Sequence, residues 1–187
     1  MLQAIKLLEK YYLPHTKAYR ILRLHSEFVA EKAVSIAQLL IDRNNAQALD
    51  IDFIAQAALL HDIGICGVHA PSLGCFGKQP YLRHGLIGAQ ILRQEGLPRH
   101  AKICENHIGV GLTAKEIMTQ QLPLPQRDFI PQTLEEQIIT YADLFFSKNP
   151  AKLDQQRSAE QVRQSVIYYG QEKGIIFDRW HHLFSAQ

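Results

Sequence analysis

The chain has 187 residues, 47% of them hydrophobic, and its 20 basic side chains nearly balance 18 acidic ones for a formal net charge of +2. That length fits one core with peripheral additions. The charge balance excludes the broad basic face of a dedicated nucleic-acid binder, although a nucleotide-sized ligand needs only a few local cations. Three cysteines, Cys66, Cys75 and Cys104, are too few and odd in number for a disulfide framework.

Helical periodicity runs through the chain and strand alternation is nearly absent. Leu2, Ile5, Leu8 and Tyr12 predict a short amphipathic helix broken by Pro14. Lys6, Glu9 and Lys10 interrupt this segment, which therefore does not read as a signal peptide. No apolar run approaches the roughly 20 residues of a membrane span, so the expectation is a cytoplasmic protein with no membrane partner. A longer helix is predicted from about Tyr19 to Arg43, with Ile21, Leu22, Phe28, Val29, Ile36 and Leu40 on one side. Asp50 or Asp52 is the candidate cap of the next helix, which reaches His61 and Asp62 and is expected to end at Gly64 and Gly67. From Cys66 to Pro80 the chain reads as a loop of functional length.

A helix from about Tyr81 to Glu95 should stop at Gly96, and Pro98 is placed to open another that reaches His107. Thr113 to Glu116 and Thr133 to Glu136 both match the capping box of a helix start. Beyond Ser158 a further helix and a short amphipathic end, FDRWHHLF, are expected. The whole reads as an all-α chain.

Several polar residues fall where core is expected. His25 lies four residues after Ile21, three after Leu22 and three before Phe28, in the middle of an apolar stripe. Asp143 follows Ile139 by four and precedes Phe146 by three. His61 and Asp62 continue the inner face of Ala57 and Ala58. His107 follows Ile103 and Cys104 in the same way, and His84 opens a face continued by Ile87, Gly88 and Ile91. One such histidine alone reads as a hydrogen-bonded core residue, and one such aspartate as its ion-pair partner. Two aspartates and four histidines on inward faces read better as one shared solution. A bound divalent cation satisfies buried carboxylates and takes neutral imidazoles as ligands.

The order of these residues carries a resemblance. His25, then His61-Asp62, then His84, His107 and Asp143 is similar to the pattern of the HD-domain (HDIG-type) metal-dependent phosphohydrolase superfamily. Leu59-Leu60-His61-Asp62-Ile63-Gly64, His84 with Gly88-Ala89, and Tyr141-Ala142-Asp143 carry it, over about Leu24 to Lys148. The resemblance implies a compact HD-domain helical bundle with peripheral N- and C-terminal helices. It implies a single domain over 1–187, with its core at about 19–148 and a C-terminal extension at about 158–187.

It further implies a first metal held by His25, His61, Asp62 and Asp143, and a second held by His84 and His107 with Asp62 bridging. Iron, manganese, zinc, nickel, cobalt or magnesium all suit a mixed His and Asp set. Asp62, His84 and His107 are the candidate catalytic groups, with Glu105 a weaker candidate for leaving-group protonation. Many HDIG sequences carry Lys two residues after the Gly, where this chain has Cys66. The segment Glu105 to Gly109 lacks the tandem His and downstream Gly-Tyr-Pro of cyclic-di-GMP phosphodiesterases.

The implied activity is hydrolysis of a nucleotide or another small phosphate ester, as monoesterase or diesterase, by metal-activated water. An HD-fold diiron oxygenase and a non-catalytic metal-stabilised ligand-binding module are the alternatives. Lys78, Arg83 and Lys115 are the candidate phosphate-binding cations. The loop Gly67–Pro80 and the segment Ile108–Thr113 are the expected cleft walls, with the helix start near Thr113 offering its N–H groups to an anion. The sequence carries no signal of oligomeric state.

Overall fold

The computed structural model describes residues 2–43 and 49–185. Nine α-helices are found among them: α1 (Leu2–Tyr11), α2 (Lys17–Asp42), α3 (Ile51–Leu60), α4 (His84–Gln94), α5 (Pro98–Asn106), α6 (Ala114–Thr119), α7 (Leu134–Asp143), α8 (Ala159–Ile167) and α9 (Gln171–Phe184). The long α2 packs on α3 and α7, α4 packs on α5, and α5 also meets α3 and α7. Between them Ile21, Leu22, Val29, Ile54, Leu59, Leu60, Leu92, Ile103, Ile138 and Ile139 are buried in a continuous core. No helix among the described residues is long and apolar enough to cross a membrane.

Local chemistry starts these helices. Thr16 caps α2 by accepting from the Tyr19 N–H, which begins the helix two residues before the expected position. Asp50, rather than Asp52, caps α3 by accepting from the Phe53 N–H at 2.9 Å. Pro98 occupies the first turn of α5. Thr113 forms the complete capping box of α6. At α7 only half of that box forms. Thr133 accepts from the Glu136 N–H, but the Glu136 carboxylate turns to the Gln132 N–H and the Asn106 side chain.

The glycines after Asp62 do not end α3 as expected, because α3 already stops at Leu60 and a 3-10 turn spans Ile63–Gly67. Gly64 serves close approach instead. A Cβ there would stand 2.1 Å from the His84 carbonyl oxygen and 2.2 Å from the Gly88 nitrogen, so only glycine lets this turn lie against α4. Tyr12 fixes the other side of the turn by donating to the Ile63 carbonyl and accepting from the Cys66 N–H. The loop that follows is folded into a small antiparallel hairpin, β1 (His69–Ala70) with β2 (Cys75–Phe76). Gly74, at φ 81°, makes the left-handed step that closes it.

Candidate metal centre

Five of the six expected ligands stand where a helix begins or stops. His61 and Asp62 directly follow α3, His84 opens α4, His107 follows α5, and Asp143 ends α7. His25 is the exception, in the middle of α2. The contacts of α2 with α3 and α7, and of α5 with α3, α4 and α7, therefore bring these points together. His25, His61, Asp62, His84 and His107 are all buried to 4% exposure or less, whereas the Asp143 side chain keeps 15%.

Each histidine at a helix end is oriented by its own chain. The Nδ1 of His61 meets the Ala58 carbonyl at 2.6 Å, that of His84 meets Tyr81 at 2.7 Å, and that of His107 meets Cys104 at 2.9 Å. A carbonyl only accepts, so each Nδ1 carries the hydrogen, and in the neutral imidazole Nε2 is left to present a lone pair. That is the tautomer of a metal-ligating imidazole. The Nε2 atoms of His84 and His107 then lie 3.1 Å apart. Two facing lone pairs at that distance repel unless a proton or a cation lies against them.

The carboxylates complete two groups. His25, His61, Asp62 and Asp143 form one, and Asp62, His84 and His107 the other, with the ligand atoms of each group all within 4.8 Å of one another. Asp62 belongs to both. Its Oδ2 lies 3.4 Å from His25 and 3.0 Å from His61, and its Oδ1 lies 3.5 Å from both His84 and His107. Asp143 Oδ1 is 3.0 Å from His25 and 3.5 Å from His61.

Short as these separations are, the angles do not make hydrogen bonds. Both nitrogens of His25, the Nε2 of His61, both oxygens of Asp62 and Oδ1 of Asp143 are buried without a partner. Buried donors and acceptors are normally satisfied. Polar atoms that converge without bonding one another are aimed at a shared point, and the residues present therefore fit divalent cations.

The electrostatics agree. Burial alone would hold both carboxyls protonated, but neighbouring His61, Lys148 and His25 keep Asp62 and Asp143 well below the usual carboxylate range. Burial also opposes charge on His61, and the two aspartates outweigh it and carry that imidazole up to about 10. The proton so held on Nε2 is the one a metal would displace. His84 goes the other way, to about 4, because burial and the neighbouring His107 and Lys148 disfavour its charged form.

Lys148 is the residue that sequence reasoning missed. Its Nζ stands 2.7 Å from Asp62 Oδ2 and 3.7 Å from Asp143 Oδ1, with 16% of the side chain exposed. Both aspartates raise its pKa against the effect of burial. It sits beyond α7 in irregular chain, where helical periodicity carries no information about direction.

Lys78 and Lys115 are exposed and Arg83 is half-buried. Glu105 is paired with Arg93 at 2.7 Å and Arg127 at 3.0 Å. At the start of α6 the N–H groups of Thr113, Ala114 and Glu116 are already taken by Glu116, Asp128 and Thr113, which leaves few donors for an anion. A cavity of about 410 Å³ is lined by Leu82, Ile108, Val110, Leu144, Arg157 and Tyr169, among others. Ile108 and Leu144 are the chain neighbours of His107 and Asp143, although none of the six converging residues itself lines the cavity. The far wall comes from the C-terminal helices rather than from the loop Gly67–Pro80.

Comparison with known proteins places these features. Residues 22–146 match the HD domain family. An uncharacterised protein of Methanocaldococcus jannaschii is 34% identical over 146 residues, which cover 74% of this chain and 79% of that one. A tRNA (cytidine(56)-2'-O)-methyltransferase of Thermoplasma volcanium is 38% identical over 133 residues, 70% of this chain but only 33% of the longer relative. The HD domain of the L. monocytogenes phosphodiesterase PgpH has a similar fold, at TM-score 0.53 and 17% identity, over 98% of this chain and 89% of that domain. The same domain in complex with cyclic-di-AMP aligns at TM-score 0.50 and 17% identity, over 99% and 98%.

Proposed function

This chain belongs to the HD domain family, and from that premise we propose that it is a metal-dependent phosphohydrolase acting on a nucleotide or another small phosphate ester. The observation that carries the reading is the sharing of Asp62 between two groups of ligands. Bound divalent cations would supply an acidified water and neutralise charge on phosphoryl oxygens. His25, His61, Asp62 and Asp143 would hold one cation, and His84 and His107 another with Asp62 between.

The remaining work falls to the chain. Asp62 presents one oxygen to each group and is the acceptor for the proton of the attacking water. If only the first cation is present, a proton held between the Nε2 atoms of His84 and His107, 3.1 Å apart, is the one available to the leaving oxygen. The cavity beside Ile108 and Leu144 takes the organic part of the substrate, its apolar walls suiting a nucleobase better than a bare phosphate. Lys78, Arg83 and Lys115 are the proposed rim contacts to phosphate.

The structural neighbour found with cyclic-di-AMP puts cyclic dinucleotides in the substrate panel, beside nucleoside monophosphates and simple phosphomonoesters. The test is to remove metal, reload with iron, manganese, zinc, nickel, cobalt or magnesium, and assay phosphate release and diester cleavage. Metal-dependent turnover of any class supports the reading. Inertness throughout, with oxygen uptake on iron loading, points to the oxygenase alternative. Inertness with ligand binding alone points to a non-catalytic module. With a substrate in hand, alanine at Lys78, Arg83 or Lys115 should lower kcat/KM at least about threefold, roughly 0.65 kcal/mol of transition-state stabilisation. No change at any of the three removes them from phosphate binding.

A further inference from the structure

Lys148 places a positive charge inside a site built for cations. Its ammonium meets Asp62 at Oδ2, the same oxygen that faces His25 and His61. We propose that Lys148 is the resident counter-cation of the centre: it holds Asp62 until a divalent ion takes that carboxylate, and it thereby limits how tightly and in what number ions bind. This rests on the metal-binding reading above.

Three observations carry it. The first is the quality of the contact. At 2.7 Å the pair is close, yet neither oxygen of Asp62 has a hydrogen bond of acceptable angle. The attraction is charge to charge, and a directional ligand bond can replace it.

The second is the charge count. With the imidazoles neutral, as ligation requires, the two carboxylates and Lys148 sum to about −1, by formal charge alone. One divalent ion takes the centre to about +1 and two take it to about +3. Without the ammonium the same occupancies give about 0 and about +2. Like charges a few ångströms apart in a buried site repel strongly. Lys148 therefore repels either ion, and most directly the one at His25 and His61, whose facing carboxylate oxygens it approaches.

The third is freedom to leave. Lys148 lies in irregular chain between the end of α7 and the 3-10 turn Pro150–Lys152. A flexible four-carbon stem anchored there can withdraw its ammonium without unwinding a helix.

The experiment compares chelator-treated wild type with Lys148→Met, which keeps the length and removes the charge, and Lys148→Arg, which keeps the charge. Manganese and zinc are titrated by calorimetry, and melting temperature is followed with and without metal. The methionine variant should bind the first ion at least tenfold more tightly. It should take a second ion at concentrations where wild type holds one. Its metal-free form should melt lower than wild type, because the two aspartates lose their counter-charge, and metal should raise its Tm by more. The arginine variant should stay near wild type.

An affinity in Lys148→Met equal to or below wild type overturns the proposal, as does an arginine variant that binds as tightly as the methionine one. If Lys148→Met does not fold without metal, Lys148→Gln is read by the same titration with the same criteria. Wild type that binds no divalent ion would sink the metal-centre reading together with this one. Tight wild-type binding left unchanged by removal of the charge sinks this one alone.

Discussion

Asp62 and Asp143 differ in what each can be asked to do. Asp62 faces both groups of ligands through different oxygens, whereas Asp143 faces only His25 and His61. Asp62→Ala should therefore abolish metal-dependent turnover and lower metal stoichiometry to zero by elemental analysis. Asp143→Ala should spare an ion held by His84 and His107; equal losses in the two variants would contradict the division. Gly64 is constrained by backbone rather than by chemistry. Gly64→Ala should destabilise the protein by about 1–3 kcal/mol or more in urea unfolding, since the intruding methyl must push α4 away. The six residues that converge here were singled out in the sequence because a polar residue on an apolar helical stripe demands an explanation. Lys148 was not, since outside a helix a lysine has no expected direction. The true role of Gly64 was hidden as well, because a glycine after a helix reads as a stop signal whether or not it is one.

At the scale of elements, the starts of capped helices were legible to within about two residues, because caps are local chemistry: Thr16, Asp50, Pro98 and Thr113 each act within a turn of their own position. The helix expected from Tyr81 has no side-chain cap and opens three residues later, at His84, after a 3-10 turn. The second capping box formed only in part because Glu136 found a distant competitor in Asn106, and spacing cannot report distant partners. Glu116 of α6 gives a pH prediction. Burial would raise its pKa, but Lys173, whose Nζ lies 2.6 Å from its Oε1, together with Thr113, holds it below the ordinary 4.5. A depressed carboxyl contributes stability that is present above its unfolded pKa and lost as pH falls through the folded one. Thermal melts between about pH 3 and 6 should show this loss in wild type. Glu116→Gln should be less stable at neutral pH and should show a shallower acid slope. Parallel slopes in the two proteins would remove the pair from the acid response.

Across the whole molecule, the C-terminal segment is tied to the helix that carries Asp143. Phe177, Trp180 and Phe184 of α9 are nearly fully buried, and Tyr141 of α7 packs against Phe177 and Phe184 and meets His181 Nδ1 at 2.7 Å. Trp180→Ala should cost about 3–5 kcal/mol in denaturant unfolding. Where the variant still folds, its affinity for a divalent ion should fall, since α7 positions Asp143. A destabilised variant with unaltered metal affinity would show that α9 supports the core without supporting the centre. The apolar stripe of this segment was legible as a helix; which helix it covers was not, because that contact spans about 40 residues of chain and no local pattern encodes it.

The contact between Gly64 and α4 has a consequence for adaptation. His61 and Asp62 precede that glycine by three and two residues, and His84 supplies the carbonyl it presses against. The interval between the two groups of ligands is thus gauged by main chain touching main chain. Side chains can rotate to suit a softer or harder ion, but the gauge does not move with them. Exchange of one metal for another would then alter reactivity while leaving the frame in place, and a lineage could drift between metals without redesigning the scaffold that holds them.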